Sequence, residues 1–169
     1  MALDTTIGGA SADSYGTLAA YQAFLTAYGR TGGTDTADEI NLREARRYLD
    51  FAYIWRGDKV TSTQALKWPR VITGYVDGFS VSSETIPQPI IDAQFEMAYL
   101  TQQGATPYAT LENGAVTRKK EKVDVIEEDT TYSEASRERA AYPLIDGIVA
   151  DYVETKRGVS PASVPLQRA

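Results

Sequence analysis

The chain has 169 residues, 43% of them hydrophobic and 24% charged, with a formal net charge of −6 and a pI near 4.7. That suits one folded domain able to bury a core without covalent staples. The absence of cysteine and histidine excludes disulfides, thiolate or imidazole metal sites and the commonest catalytic base. No stretch nears the roughly 20 apolar residues of a membrane helix, and the start lacks the basic and apolar regions of a secretory signal.

The small polar residues 1–13 read as an arm, mobile or ordered by a partner. Thr17 is placed to cap a helix from Leu18 to about Tyr28, with Leu18, Tyr21, Leu25 and Tyr28 at helical spacing and Gly29 as the stop. After a glycine-rich loop, Thr36 and Glu39 have capping-box spacing. Leu42, Ala45, Leu49, Ala52 and Tyr53 then form an apolar stripe, and Glu44 pairs with Arg47 on the surface. Gly57 is the expected stop, which places Trp55 and Arg56 in the last turn, the cation at the negative end of the helix dipole.

Thr61 and Gln64 repeat the capping-box spacing and predict a short helix over 62–67, closed by Trp68-Pro69. Asp77-Gly78, between Tyr75-Val76 and Phe79-Ser80-Val81, predicts a small hairpin or ordered loop. Pro87 and Pro89 open a helix over 88–102 that faces inward through Ile90, Ala93, Met97 and Leu100. Residues 116–128 alternate imperfectly and read as a strand or extended pair. Their run Arg118, Lys119, Lys120 reads either as a solvated face or as a nucleic-acid contact, with carboxylates following at once. The acidic stretch 127–134 is a solvated turn or a loose divalent-ion site, and Ser133 is placed to cap a turn. A last helix is expected over 143–155, with Ile145, Ile148, Val149 and Tyr152 inward. Beyond Thr155, "KRGVSPASVPLQRA" has no helical period yet carries Val159, Val164 and Leu166, as a docking tail does and a fraying one need not.

The fold class expected is therefore mainly α: a small helical bundle over 14–155, a minor β-hairpin, and an extended arm over 156–169. The eleven tyrosines suit half-buried positions or interfaces. No constellation for catalysis, a cofactor or a metal is present, so the chain is not expected to be an enzyme. Single-stranded nucleic-acid binding, with tyrosines stacking on bases, stands as the alternative to a structural role. The acidic balance speaks against it.

The order of these segments resembles a family of tailed-phage proteins. The residues that carry the resemblance are Trp55-Arg56-Gly57, then Gln64-Ala65-Leu66-Lys67-Trp68-Pro69-Arg70, Asp77-Gly78 and Ile86-Pro87, with "ADSYGTLAAYQAFL" before the first helix. The family comprises head–tail connector adaptors, or head completion proteins, a group that often bears the label "DnaT-like ssDNA-binding". The resemblance implies a virion protein, present in the host cytoplasm before assembly. Its copies, commonly twelve, would form a ring beneath the portal protein. That ring extends the DNA channel, lets genomic DNA pass without tight binding, and meets a tail-side connector protein below. It also implies that the arm, through Val159, Pro161, Val164, Pro165 and Leu166, docks on the portal. Trp55, Arg56, Gly57, Trp68, Pro69 and Arg70 then form a structural junction near subunit contacts, where the arginines stack on rings or pair with carboxylates.

Overall fold

A computed structural model describes residues 2–106, 116–120, 129–132 and 142–156, of which 116–120, 129–132 and the residues 155 and 156 are described by backbone only. The chain divides into two units, Met1–Pro107 with Tyr142–Arg157, and Tyr108–Ala141 with Gly158–Ala169. It is mainly helical, with four α-helices and only two-stranded sheets among the described residues.

In the first unit, α1 (Leu18–Ala27) starts where Thr17 accepts from the Ala20 N–H, and it buries Tyr21 and Leu25. Tyr28, expected inward, is exposed and packs on Phe24 and over Arg30. Helix α2 (Asp35–Ala52) is capped by Thr34, not Thr36. The Asp38 carboxylate reaches back past the cap to the Gly33 N–H, and Asp35 and Asp38 favour the positive end of the dipole. The expected stripe is buried, Tyr48 joins it, and Glu44 pairs with Arg47 at 2.9 Å. Helix α3 (Gln88–Gln102) packs against both α2 and α4 (Pro143–Val149). Ile90, Ala93, Met97 and Ile145 are fully buried between them.

Four expectations for this unit are corrected. Residues 2–13 are a packed loop and not a free arm: the Asp4 N–H donates to Asp13 Oδ1, Ser11 to Asp4, Arg43 to Asp13, and the Ala65 N–H to the Gly9 carbonyl. Helix α2 ends at Ala52, because the aromatic and β-branched run Tyr53–Trp55 becomes β1 instead of a last turn. No helix forms over 62–67. The Gln64 side chain accepts from the Thr61 N–H, as the capping-box spacing predicts, but its amide also donates to the Leu66 and Pro69 carbonyls, so the bonds close a bent loop and no helical turn follows. The last helix is α4 alone. A single 3-10 turn, Ala150–Tyr152, leads into β8 (Val153–Lys156), which pairs antiparallel with β1 as Tyr53↔Lys156, Ile54↔Thr155 and Trp55↔Val153.

Two more small ladders complete the unit. β2 (Asp58–Lys59) pairs with β3 (Arg70–Val71), and β4 (Tyr75–Val76) with β5 (Phe79–Ser80) around Asp77-Gly78, where both turn residues have positive φ. In the second unit, β6 (Val116–Lys120) pairs antiparallel with β7 (Asp129–Tyr132); β6 falls in the segment expected to be extended, whereas β7 lies within the stretch 127–134 that was expected to be a turn. Ser133 and the segment 157–169 lie outside the described residues.

Candidate functional site

The segment from Trp55 to Arg70 folds as one junction. Trp68 is fully buried and Trp55 nearly so, and their rings meet edge to face at 5.8 Å. The contact chain runs on from Trp68 to Tyr152 at 5.7 Å, from Trp55 to Tyr53 at 5.4 Å, and through Tyr48 to Tyr142. Edge-to-face rings add stabilisation beyond area burial, about 0.5–1.5 kcal/mol per pair. The Trp68–Pro69 bond is cis.

Arg70 is the hub of the junction. Its Nε donates to the Arg56 carbonyl at 2.7 Å, its Nη1 to Lys67, and its Nη2 to the carbonyls of Trp55 and Gly57. Burial, offset by nearby Asp58, pulls this guanidinium below its usual range. Its work is therefore on the backbone, and among the described residues Arg70 makes neither the expected ring stacking nor a salt bridge to a carboxylate. Arg56 lies outside any helix: its N–H donates to the Tyr152 carbonyl and its Nη1 to the Asp151 carbonyl at 2.7 Å. Gly57, at φ +69°, lies directly against the β3 backbone.

The same economy holds elsewhere in the described helical unit. Arg30 pairs with Glu96 at 2.9 Å, Arg43 with Asp13 at 2.6 Å, Arg46 with Asp50 at 3.7 Å, and Arg47 with Glu44. Every arginine of that unit within the described residues is thus engaged inside the chain. Arg118, Lys119 and Lys120 lie on β6 of the other unit, opposite Thr131, Thr130 and Asp129. The candidate arm residues Val159, Pro161, Val164, Pro165 and Leu166 fall outside the described residues. No group of three or more carboxylates able to hold a metal occurs among the described residues.

Two features escaped sequence reasoning. Gln94, fully buried on α3, accepts from the Tyr15 and Gly16 N–H groups and donates to Ser14 Oγ and the Leu42 carbonyl. It fastens the Asp-Ser-Tyr-Gly stretch to the bundle. A lone glutamine among the apolar positions of α3 was the available signal. The second is the outward face of the small strands. Tyr53, Trp55, Arg70 and Val76 point in, while Ile54, Val71, Tyr75 and Phe79 are exposed, the last two by 71% and 77%. Strand alternation around Asp77-Gly78 carried that signal.

The whole chain, residues 1–169, matches one family, described as "Putative DnaT-like ssDNA binding protein". The chain belongs to that family. No curated protein and no solved structure matches it. Membership in the DnaT-like family assigns no residue a role. The junction is a packing and hydrogen-bonding centre, and exposed apolar side chains stand on each of the three small ladders around it.

Proposed function

We propose that this DnaT-like family member is a structural, non-enzymatic adaptor of a phage head–tail connector, forming a ring with its own copies beneath a portal protein. The observation that carries the reading is the use of the arginines. In the described helical unit each has a carboxylate or a carbonyl partner within its own chain, and none stands free of such a partner to grip phosphates. Nucleic-acid affinity rests on such grips, each paired with counterion release. The acidic net charge and the apolar outward positions Ile54, Val71, Tyr75 and Phe79 suit protein contacts beside a channel through which DNA slides. The order of the Trp-Arg-Gly, Gln-Ala-Leu-x-Trp-Pro-Arg and Ile-Pro segments supplies the phage context.

A second reading, single-stranded DNA binding, is favoured by the family's description. In that reading Tyr75 and Phe79 stack on bases and Arg118, Lys119 and Lys120 meet the backbone. One pair of measurements separates the two: native mass spectrometry with a portal ring, and fluorescence anisotropy with labelled oligothymidine at low salt. Loading onto the portal in a fixed multiple, with no oligothymidine binding, is the expected result. Salt-sensitive oligothymidine binding without portal loading transfers the conclusion to the second reading.

A further inference from the structure

Near the loop that joins α1 to α2, residues 28–34, three polar atoms are buried with no hydrogen-bond partner among the described residues. They are the Tyr21 hydroxyl on α1, Oδ2 of Asp38 on α2 and Oε1 of Gln102 on α3. Tyr21 and Asp38 are fully buried side chains. Buried polar groups left bare are rare, and each one calls for a partner.

All three side chains meet the same few residues. Asp38 Oδ1 accepts from the Gly33 N–H, and Oδ2 faces Gly32, where a Cβ would stand 2.9 Å from it. Gln102 donates from Nε2 to the Thr31 carbonyl at 3.1 Å, so its amide meets the residue next to Gly32. Arg30 pairs with Glu96 at 2.9 Å and lies 4.4 Å over the Tyr99 ring, which pins the same loop to α3. Burial and then the Asp38 charge hold the Tyr21 hydroxyl above its usual range, so the hydroxyl stands in the field of that carboxylate without bonding to it.

The chemistry of the set specifies what fits. A tyrosine hydroxyl has a proton to donate, whereas a carboxylate oxygen and an amide oxygen only accept. One donor and two acceptors are the complement of one water molecule that accepts once and donates twice. Three bonds are also the usual number for a buried water. An anion would face two acceptor oxygens. A divalent cation would find one carboxylate, since Glu96 is paired with Arg30, and no acidic group able to hold a metal occurs among the described residues.

We propose that Tyr21, Asp38 and Gln102 bind one internal water, which accepts from the Tyr21 hydroxyl, donates to Asp38 Oδ2 and Gln102 Oε1, and so ties α1, α2 and α3 together beside the loop. The glycines belong to this site. A Cβ at residue 32 would crowd Asp38 Oδ2 and Leu25, and one at residue 33 would stand 3.0 Å from Asp38 Oδ1. The glycine-rich loop is thus a close-fitting cover on the carboxylate. The site stands apart from the adaptor and DNA-binding readings, neither of which uses these residues.

A crystal structure of the full chain, at a resolution that orders solvent, is the direct test. The expected result is a solvent peak about 2.7–3.1 Å from all three atoms. A peak that misses any of the three, or a direct bond between Tyr21 and Asp38, overturns the proposal. A peak that gains anomalous signal in rubidium-soaked crystals also overturns it, in favour of a monovalent cation. Amide exchange gives a second readout. In Tyr21→Phe the water loses its donor, and exchange of the Gly33 N–H, held by the same carboxylate, should rise about fivefold. Exchange at Gly33 equal to that of the parent protein overturns the coupling of the bridge to the loop.

Discussion

Gly57 lies so close to Val71 that a Cβ on residue 57 would stand 2.1 Å from the Val71 carbonyl oxygen. The obstacle is backbone, so no side chain can swing aside, and the φ of +69° adds the left-handed penalty of about 1–2 kcal/mol. Gly57→Ala is therefore expected to destabilise the chain by more than about 2 kcal/mol. A shift of the urea midpoint without a change in slope is the signature. A midpoint equal to that of the parent protein would show that the β1–β2 corner does not lie against β3.

Arg70 tests whether the junction depends on a fork or merely on a cation. A lysine keeps the charge but cannot serve four carbonyls spread over Trp55, Arg56, Gly57 and Lys67. Each buried carbonyl left without a donor costs about 1–3 kcal/mol. Arg70→Lys is expected to lose about 2–3 kcal/mol, nearly as much as Arg70→Met. If chemical denaturation shows Arg70→Lys at parental stability, the guanidinium geometry is irrelevant.

Both tryptophans and their tyrosine neighbours sit in one contact chain, so a single probe reports on it. Trp68→Ala removes a fully buried ring and is expected to cost about 3–5 kcal/mol. Trp68→Phe should retain the fold at a smaller cost and leave Trp55 as the sole indole. Its emission should stay blue-shifted in the native state and move red on unfolding. A red emission maximum in native Trp68→Phe protein would contradict the burial of Trp55.

The helices were legible because their signals are local and periodic. Thr17, Leu42–Leu49 and Pro87–Pro89 each announce an element within one or two turns, and the structure follows them. What was not legible depended on partners far away in sequence. Tyr53–Trp55 continue a helical stripe on paper. They become a strand only because Val153–Lys156 return beside them, and the same pairing shortens the last helix. Over 62–67 the capping-box bond from the Thr61 N–H to Gln64 forms without the helix it was expected to start, because the same amide also holds the Leu66 and Pro69 carbonyls in a bent loop, which spacing alone does not reveal. For the site, the motif residues Trp68 and Arg70 were found, but Arg70's carbonyl partners required the corner at Gly57 to be in place.

Asp50 gives the fold a pH dependence of defined sign. Burial raises its carboxyl above the ordinary range, against the opposing pull of the Tyr15 hydroxyl and Arg46. With the folded pKa above the unfolded one, the folded state binds more protons between the two values. The contribution of Asp50 is then fully present below the unfolded pKa, near 3.9, and is lost as pH rises through the raised folded value. Asp50→Asn keeps an acceptor for Tyr15 and cannot ionise. The stability difference between parent and Asp50→Asn should therefore move in the variant's favour as pH rises from about 3.9. Urea midpoints of both proteins across that interval check it, and a difference that moves the opposite way would mean that pairing with Arg46 outweighs desolvation.

The exposed hairpin separates stability from assembly. Tyr75 and Phe79 are 71% and 77% exposed, so their truncation removes little buried area. Tyr75→Ser with Phe79→Ser is expected to change stability by no more than about 0.5 kcal/mol per site. A solvated hairpin has no use for two large rings at those positions, whereas a contact surface concentrates its energy in such anchors. In the adaptor reading the double variant stays folded and loses portal loading in native mass spectrometry. A double variant that loads as well as the parent protein would remove this face from the subunit or portal contacts. A double variant that unfolds would show instead that the rings are held by the chain itself, against the exposure seen at both positions.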